Sequence, residues 1–190
     1  FSEGSISHTV NIPIAGEHVT NDIARAIGTS IQNAEEIKKK HGCAWSDLAD
    51  SDELITTQSI NGRENQSFSR QGLSSVIEVR YQEIFQIIKQ HLGNTNLTQL
   101  LPAGIVLTGG ASRIEGISQL GEEVFQTPVR VGKTQGLIGL SDILSNPIYS
   151  TAVGLILFAQ KEIDEDYMDF AMLNEKGLFN KAFRWIQNTF

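Results

Sequence analysis

The spacing of apolar and polar residues predicts a strand and two helices near the start of the chain. Residues 5–14 alternate apolar and polar side chains, as a half-exposed strand does. An apolar-periodic stretch that opens at Thr20 predicts the first helix. Ser30 is suited to cap a second helix, and His41-Gly42 is suited to end it. Lysines late in that helix complement its dipole.

A hairpin and a long helix are predicted next. Residues 55–60 predict a short strand, and residues 61–65 have the composition of a hairpin turn. A helix is then predicted from about residues 69–70 to His91, with Gly93 ending it. Its apolar residues keep helical spacing: Leu73, Val76, Ile77, Tyr81, Ile84, Ile87 and Ile88.

The stretch that follows predicts a strand, a turn, a helix and a second strand. Residues 104–108 are a continuous apolar run, which predicts a strand buried on both faces. Residues 109–112 (Gly-Gly-Ala-Ser) predict a tight turn, and residues 114–125 predict the next helix. Residues 129–131 predict a short strand. Seventeen glycines and four prolines also suit an α/β protein with tight loops.

The last part of the chain divides into three segments. Residues 147–160 predict an apolar helix, and residues 161–175 predict a poorly ordered linker with six acidic residues and one lysine. Residues 176–190 form an amphipathic pattern if helical. The apolar face holds Leu178, Phe179, Ala182, Phe183, Ile186 and Phe190, the polar face holds Lys181, Arg184, Gln187 and Asn188, and Trp185 lies near the boundary.

The distribution of charge along the chain indicates what the C-terminal segment, residues 176–190, binds. The chain has a net charge of −7, which disfavours nucleic acid as a partner. Residues 176–190 carry three basic residues and no acid, so the rest of the chain holds −10. A basic amphipathic helix is typical of an anionic membrane surface. The alternatives are a helix docked on the protein's own core and a partner-binding helix. The acidic linker favours the membrane.

Two groups of residues are candidates for a ligand site. A buried strand that leads into Gly109-Gly110-Ala111-Ser112 and then a helix suits phosphates and nucleotides, because glycines let a ligand approach the backbone. Any tight strand-to-helix turn can also use two glycines. Glu35 and Lys38 share one helical face, where they can clasp a ribose and an adenine edge or form a solvated ion pair.

The sequence gives no indication of a metal site, a catalytic site or a membrane-spanning helix. The four histidines and the lone Cys43 lack the spacing of metal ligands, so no metal site is expected. No nucleophile–base pair or paired carboxylates can be recognised, so no catalytic residues are expected. No apolar run approaches the ~18 residues that cross a bilayer.

Taken in order, five segments resemble the FtsA family. They are IPIAGEHVTNDIA, AEEIKKKHG, SRQGLSSVIEVRYQEIF, GIVLTGGASRIEG and PIYSTAVGLILFA. The second is similar to a nucleotide-side helix of the wider actin, MreB and chaperone ATPase superfamily. The chain resembles the C-terminal half of FtsA along essentially its whole length, and we expect it to be a fragment.

The resemblance implies an α/β, ribonuclease-H-like actin fold with a C-terminal amphipathic helix. Residues 1–16 and 73–160 would form subdomain 2A, and residues 17–72 subdomain 2B. Residues 161–175 would be the acidic linker, and residues 176–190 the membrane-targeting helix.

The resemblance also implies a nucleotide site. Gly109, Gly110 and Ala111 would line the adenosine and phosphates of ATP, which the full-length family protein binds with Mg. Arg113 would flank the adenine, while Glu35 and Lys38 would hold the ribose and base. The family's phosphate loops and its acidic metal and catalytic positions lie upstream of Phe1. The chain is therefore expected to bind ATP weakly or not at all, without ATPase activity.

The implied role is that of an adaptor at the cytoplasmic face of the bacterial inner membrane, at the division septum. Arg70 and Arg80, with Arg63 a weaker third, would receive the anionic C-terminal tail of FtsZ. Membrane phospholipids would bind Leu178, Phe179, Lys181, Phe183, Arg184, Trp185, Ile186 and Phe190. Self-association in the full-length protein and other division proteins are further expected partners. The rival functions are a PilM-like pilus-assembly scaffold and a sugar kinase or chaperone ATPase of the same superfold.

Overall fold

The computed structural model describes residues 6–57, 66–94, 103–133 and 145–163. The chain divides into two compact units, Phe1–Gly132 and Lys133–Phe190. The first unit contains α1 Gly16–Ile27, α2 Ile31–His41, β1 Leu54–Thr57, β2 Gln66–Ser69, α3 Arg70–Asn94, β3 Ile105–Leu107, α4 Ile117–Phe125 and β4 Val129–Val131, with 3-10 turns at Ser46–Leu48 and Gly110–Arg113. The second contains a 3-10 turn at Pro147–Tyr149, followed by α5 over residues 150–163.

The first two helices end where their sequences dictate. Gly28, with φ 64°, follows the last residue of α1, and its left-handed conformation suits glycine. The Ser30 side chain accepts a hydrogen bond from the Asn33 backbone at 3.2 Å, which confirms the predicted cap of α2. Helix α1 begins at Gly16, four residues before the predicted start at Thr20.

Two small sheets are present in the described residues. Strands β1 and β2 pair antiparallel, with Ile55 opposite Phe68, which confirms the predicted hairpin. Its turn, residues 61–65, lies outside the described residues. Strands β3 and β4 pair parallel, with Ile105 opposite Val129, and α4 lies between them in the chain. This strand–helix–strand unit confirms the predicted order of elements.

Helix α3 is the centre of the hydrophobic core. It contacts α1, α4, β2 and the 3-10 turn Ser46–Leu48. Val19, Ile23, Ile77 and Leu120 have no exposed side-chain surface in this core. Full burial of one such side chain contributes about 1.5–3 kcal/mol. Helix α3 is therefore held by several neighbouring elements, which fix the positions of its side chains.

Two predictions about strands are wrong. Residues 6–15 form no strand, and Ile6 and Val10 are exposed, because alternation yields a strand only beside a neighbouring strand and none pairs with it among the described residues. Strand β3 is not buried on both faces. Val106 is 48% exposed, while Ile105 and Leu107 point to the opposite face and are partly buried.

Three helix boundaries also differ from the prediction. Helix α3 continues through Gly93 to Asn94, since a glycine weakens a helix without ending it. Helix α4 begins at Ile117, because Gly116 has φ 76° and breaks the helical backbone before it. Helix α5 runs three residues into the predicted linker, to residue 163. The rest of that linker and the predicted amphipathic helix lie outside the described residues. The subdomain boundaries stay a prediction.

Candidate nucleotide and peptide sites

A glycine turn follows β3 and is held from two sides. Gly109 has φ 87°, which favours glycine, and it leads into the 3-10 turn Gly110–Arg113. The buried Ser112 hydroxyl donates to the Gly109 carbonyl at 2.7 Å, and the Tyr81 hydroxyl on α3 donates to the Ala111 carbonyl at 3.3 Å. A Cβ built on Gly109 would meet no atom of the described chain within 4 Å, so the space beside this backbone is open.

Lys38, one of the predicted pair Glu35 and Lys38 on α2, binds residues of α1 through its side chain. Its Nζ donates to the Gly16 carbonyl at 2.9 Å, to the Thr20 hydroxyl at 2.6 Å and to Glu35 Oε2 at 2.6 Å. The Thr20 hydroxyl in turn donates to Glu35 at 2.5 Å. Only 13% of the Lys38 side chain is exposed. Glu35 and Lys38 are thus part of an interhelical network and are not a solvated surface pair.

The glycine turn and this network meet at Gly16. A Cβ built there would lie 3.4 Å from Ala111 Cβ and 3.8 Å from Lys38 Nζ. The structure therefore brings together two groups whose nearest members, Lys38 and Gly109, lie 71 positions apart in the sequence. Arg113 lies exposed at the end of the turn. Sequence reasoning missed Gly16, Thr20 and Tyr81. The available signal was a glycine directly before the predicted first helix, since a glycine leaves room for neighbouring side chains.

Electrostatics keep this network charged. Partial burial alone would raise the pKa of Glu35, but hydrogen bonds from Lys38 and Thr20, with the charge of Lys38, lower it to about 2. Burial, aided by the negative charge of Glu35, raises the pKa of Tyr81 to about 12. Glu35 therefore stays a carboxylate and Tyr81 stays a hydroxyl donor at neutral pH.

Replacing Glu35 with glutamine is expected to destabilise the chain most at neutral pH. The folded-state pKa lies below the ordinary value of 4.5, so the contribution of the carboxylate is present above pH 4.5 and is lost as the pH falls toward 2. Urea unfolding of wild type and Glu35→Gln at several pH values measures this. The stability difference should shrink across that window, whereas Glu36→Gln, at an exposed position of the same helix, should change stability little. A difference that stays constant from pH 7 to pH 2 would contradict the assignment.

The two described arginines that were predicted to bind a peptide are both in internal ion pairs. Arg70 Nε donates to the His41 carbonyl at 3.1 Å, and its other nitrogens contact Glu53 and Glu115. Desolvation alone would lower the pKa of Arg70, but the hydrogen bond and charge of Glu115 and the charge of Glu53 raise it.

Arg80 is held by Asp22 through Nε and Nη2, the latter at 3.1 Å, and also contacts Glu83. The hydrogen bond that Arg80 donates to Asp22 is the main reason that the pKa of Arg80 is raised. Arg63 lies outside the described residues. A peptide carboxylate would have to exchange with these partners.

Neither a metal site nor a membrane-crossing helix emerges from the described residues. Within them, no three histidine, cysteine or acidic side chains group in a way that could hold a metal ion. None of the described helices is long and apolar enough to cross a membrane.

Comparison with solved structures defines the class of the fold. The chain is similar to MreB5 of Spiroplasma citri in crystal structures bound to ADP and to AMPPNP. The TM-score to the ADP-bound structure is 0.61 at 19% identity, covering 82% of this chain and 47% of that one. The predicted actin-like α/β fold is therefore confirmed.

Sequence comparison then gives the family. The profile of the family "Cell division protein FtsA" matches residues 1–154, and the chain belongs to that family. It is 43% identical to FtsA of Pseudomonas aeruginosa over 197 residues, covering 100% of this chain and 47% of that protein. It is 41% identical to FtsA of Escherichia coli K12 over 194 residues, covering 98% and 45%. The chain thus spans about half the length of the relatives it matches, which confirms that it is a fragment.

Proposed function

We propose that this chain is the membrane-attaching half of an adaptor that joins FtsZ filaments to the cytoplasmic face of the inner membrane at the division septum. One observation carries the proposal: in a chain of the FtsA family, a basic amphipathic pattern over residues 176–190 follows an acidic segment. An apolar face of phenylalanines beside a basic face suits an anionic lipid surface. An adaptor of this kind binds its partners without catalysing a reaction, and we assign no catalytic residue to the chain.

The nucleotide part of the proposal places the adenosine and phosphates of ATP along Gly109–Ala111. The open space beside Gly109 suits a ligand that lies against the backbone. Glu35 and Lys38 face the same location and would hold the ribose and base, with Arg113 beside the adenine. The MreB5 structures with ADP and AMPPNP support a nucleotide on this fold. ATP, bound with Mg in the full-length protein, would regulate self-assembly there.

This chain alone is expected to bind ATP at best weakly and to show no ATPase activity. In this proposal Gly109–Ala111, Glu35 and Lys38 would contact only part of the nucleotide, since the chain spans about half the length of its FtsA relatives. Isothermal titration with MgATP should give no saturation in the micromolar range, and phosphate release should stay at the buffer rate. A micromolar dissociation constant would overturn the incomplete-site proposal.

The tether is tested by bringing both partners together. A fluorescent peptide of the FtsZ C-terminal tail should float with anionic vesicles only when the whole chain is present. The matched control is a chain that ends at Glu175, which keeps the peptide-binding arginines and removes the basic tail. With that control the peptide should stay in the dense fraction.

The outcomes separate the rival functions. If the chain floats but leaves the peptide behind, the membrane half of the proposal stands and the FtsZ half fails. If the chain binds peptide but does not float, a scaffold of the PilM type becomes the better assignment. Turnover of ATP with a sugar substrate would favour the enzymes of the same superfold.

A further inference from the structure

Three segments of the chain meet on the guanidinium of Arg70, the first residue of α3. Its Nε donates to the His41 carbonyl at the end of α2, and Nη1 lies 3.5 Å from Glu53, which precedes β1. Its Nη2 contacts Glu115, which follows the glycine turn. The Arg70 side chain is 18% exposed. This arginine therefore joins the hairpin and α2 to the segment that leaves the turn.

Glu115 is fixed at the exit of the glycine turn, two residues beyond Arg113. Its carbonyl accepts a hydrogen bond from the Ala44 backbone at 2.7 Å, and it forms a parallel bridge with Cys43. The next residue, Gly116, packs directly against Trp45. The backbone at this exit is thus held by residues 43–45, and the Glu115 side chain is held by Arg70.

The carboxylates on Arg70 are more exposed than the arginine itself. Glu115 is 52% exposed and Glu53 is 40% exposed. Water therefore reaches both carboxylates and can solvate either one when it leaves Arg70. An incoming carboxylate can therefore replace Glu115 at small cost. Arg80 differs, because Asp22 is only 21% exposed and binds two of its nitrogens.

From this geometry we infer that Arg70 couples acidic-peptide binding to the glycine turn, by exchanging Glu115 for a peptide carboxylate. The inference rests on the proposed function, in which Arg70 receives an anionic peptide. When the peptide binds, Glu115 loses its side-chain partner and the exit of the turn is held by its backbone contacts alone. Coupling of this kind is reciprocal. A ligand that holds the turn in the conformation with Glu115 bound to Arg70 therefore lowers the affinity of the chain for the peptide.

The test uses the whole chain, an acidic and apolar peptide of the FtsZ-tail type, and two charge-neutralising variants. Glu115→Gln removes the competing carboxylate and should raise peptide affinity by about two- to fivefold. Glu123→Gln makes the same change of charge at an exposed position of α4, and its affinity should stay within the titration error. Fluorescence anisotropy at fixed ionic strength measures all three chains.

A second readout follows the turn itself. In the ¹⁵N-labelled chain, the amide signals of Gly109 and Gly110 should shift when peptide is added. The Glu115→Gln variant without peptide should shift them in the same direction, while Gly28, at the far end of α1, stays in place.

The outcomes distinguish this inference from the proposed function. If the peptide binds wild type and Glu115→Gln with equal affinity and the glycine signals do not move, the coupling is overturned while peptide binding stands. If no chain binds the peptide, the FtsZ arm of the proposed function fails and the coupling fails with it. A gain of affinity in Glu123→Gln equal to that in Glu115→Gln would also overturn the coupling, since general charge would then explain both.

Discussion

Glutamate in place of Phe183 or Trp185 is expected to abolish co-flotation of the chain with anionic vesicles. Phe183 belongs to the apolar face of the predicted tail helix, and Trp185 lies at its edge. An acidic side chain there must enter the apolar boundary of the bilayer or pull the helix out of it. A single amphipathic helix binds reversibly, so losing one aromatic anchor and adding one negative charge removes most of the attraction.

The matched control is Gln187→Glu, which adds the same charge on the polar face of the helix. It weakens attraction to anionic lipid by about 1 kcal/mol and keeps the apolar face intact, so flotation should fall only in part. A chain ending at Glu175 sets the baseline without the tail. If Phe183→Glu floats as well as wild type, the tail does not lie in the membrane. If wild type itself does not float, the tail is a docked or partner-binding helix.

Gly116→Ala is expected to destabilise the fold by about 3 kcal/mol. Gly116 has φ 76°, a conformation that costs an alanine about 1 kcal/mol. Its Cβ would also lie 2.7 Å from Trp45 Cβ and 2.9 Å from Trp45 N, so backbone must shift, and such overpacking costs about 1–3 kcal/mol. Urea unfolding followed by circular dichroism measures the change in the free energy of unfolding.

Alanine substitutions at two other glycines separate the cost of the backbone conformation from the cost of the contact with Trp45. Gly28 has φ 64° but no atom within 4 Å of a built Cβ, so Gly28→Ala should cost only the conformational part. Gly93 lies within α3 with open space around it, and Gly93→Ala should stabilise by about 0.5–1 kcal/mol. Equal losses in Gly116→Ala and Gly28→Ala would show that contact with Trp45 is not tight.

Local signals in the sequence predicted most elements of the fold. Ser30 caps α2, Leu54–Thr57 form the first strand of a hairpin, and two glycines after an apolar run form the turn, because each depends on residues close in sequence. The strand predicted over 5–14 failed because a strand also needs a neighbour, which alternation alone does not supply. Val106 was predicted to be buried because the run around it is apolar, but an apolar run does not show whether both faces of a strand are covered.

The candidate sites were less predictable. Helical spacing indicated that Glu35 and Lys38 share a face, but their partners on α1 are Thr20, 15 residues before Glu35, and the Gly16 carbonyl, 22 residues before Lys38. Arg70 and Arg80 were predicted to be available to a peptide, yet their carboxylate partners Glu115 and Asp22 lie 45 and 58 positions away. Such pairings follow from tertiary packing, and no local pattern in the sequence reports them.

The central place of α3 has a consequence for the order of events during translation. Helix α1 precedes α3 in the chain and α4 follows it, and both pack on it. A nascent chain that has released only α1 and α2 from the ribosome therefore lacks the α3 part of the core cluster that contains Val19 and Ile23. Those two residues are more accessible to a chaperone until α3, with Leu73 and Ile77, has emerged. We expect ribosome-associated chaperones to contact the nascent chain most strongly in that interval.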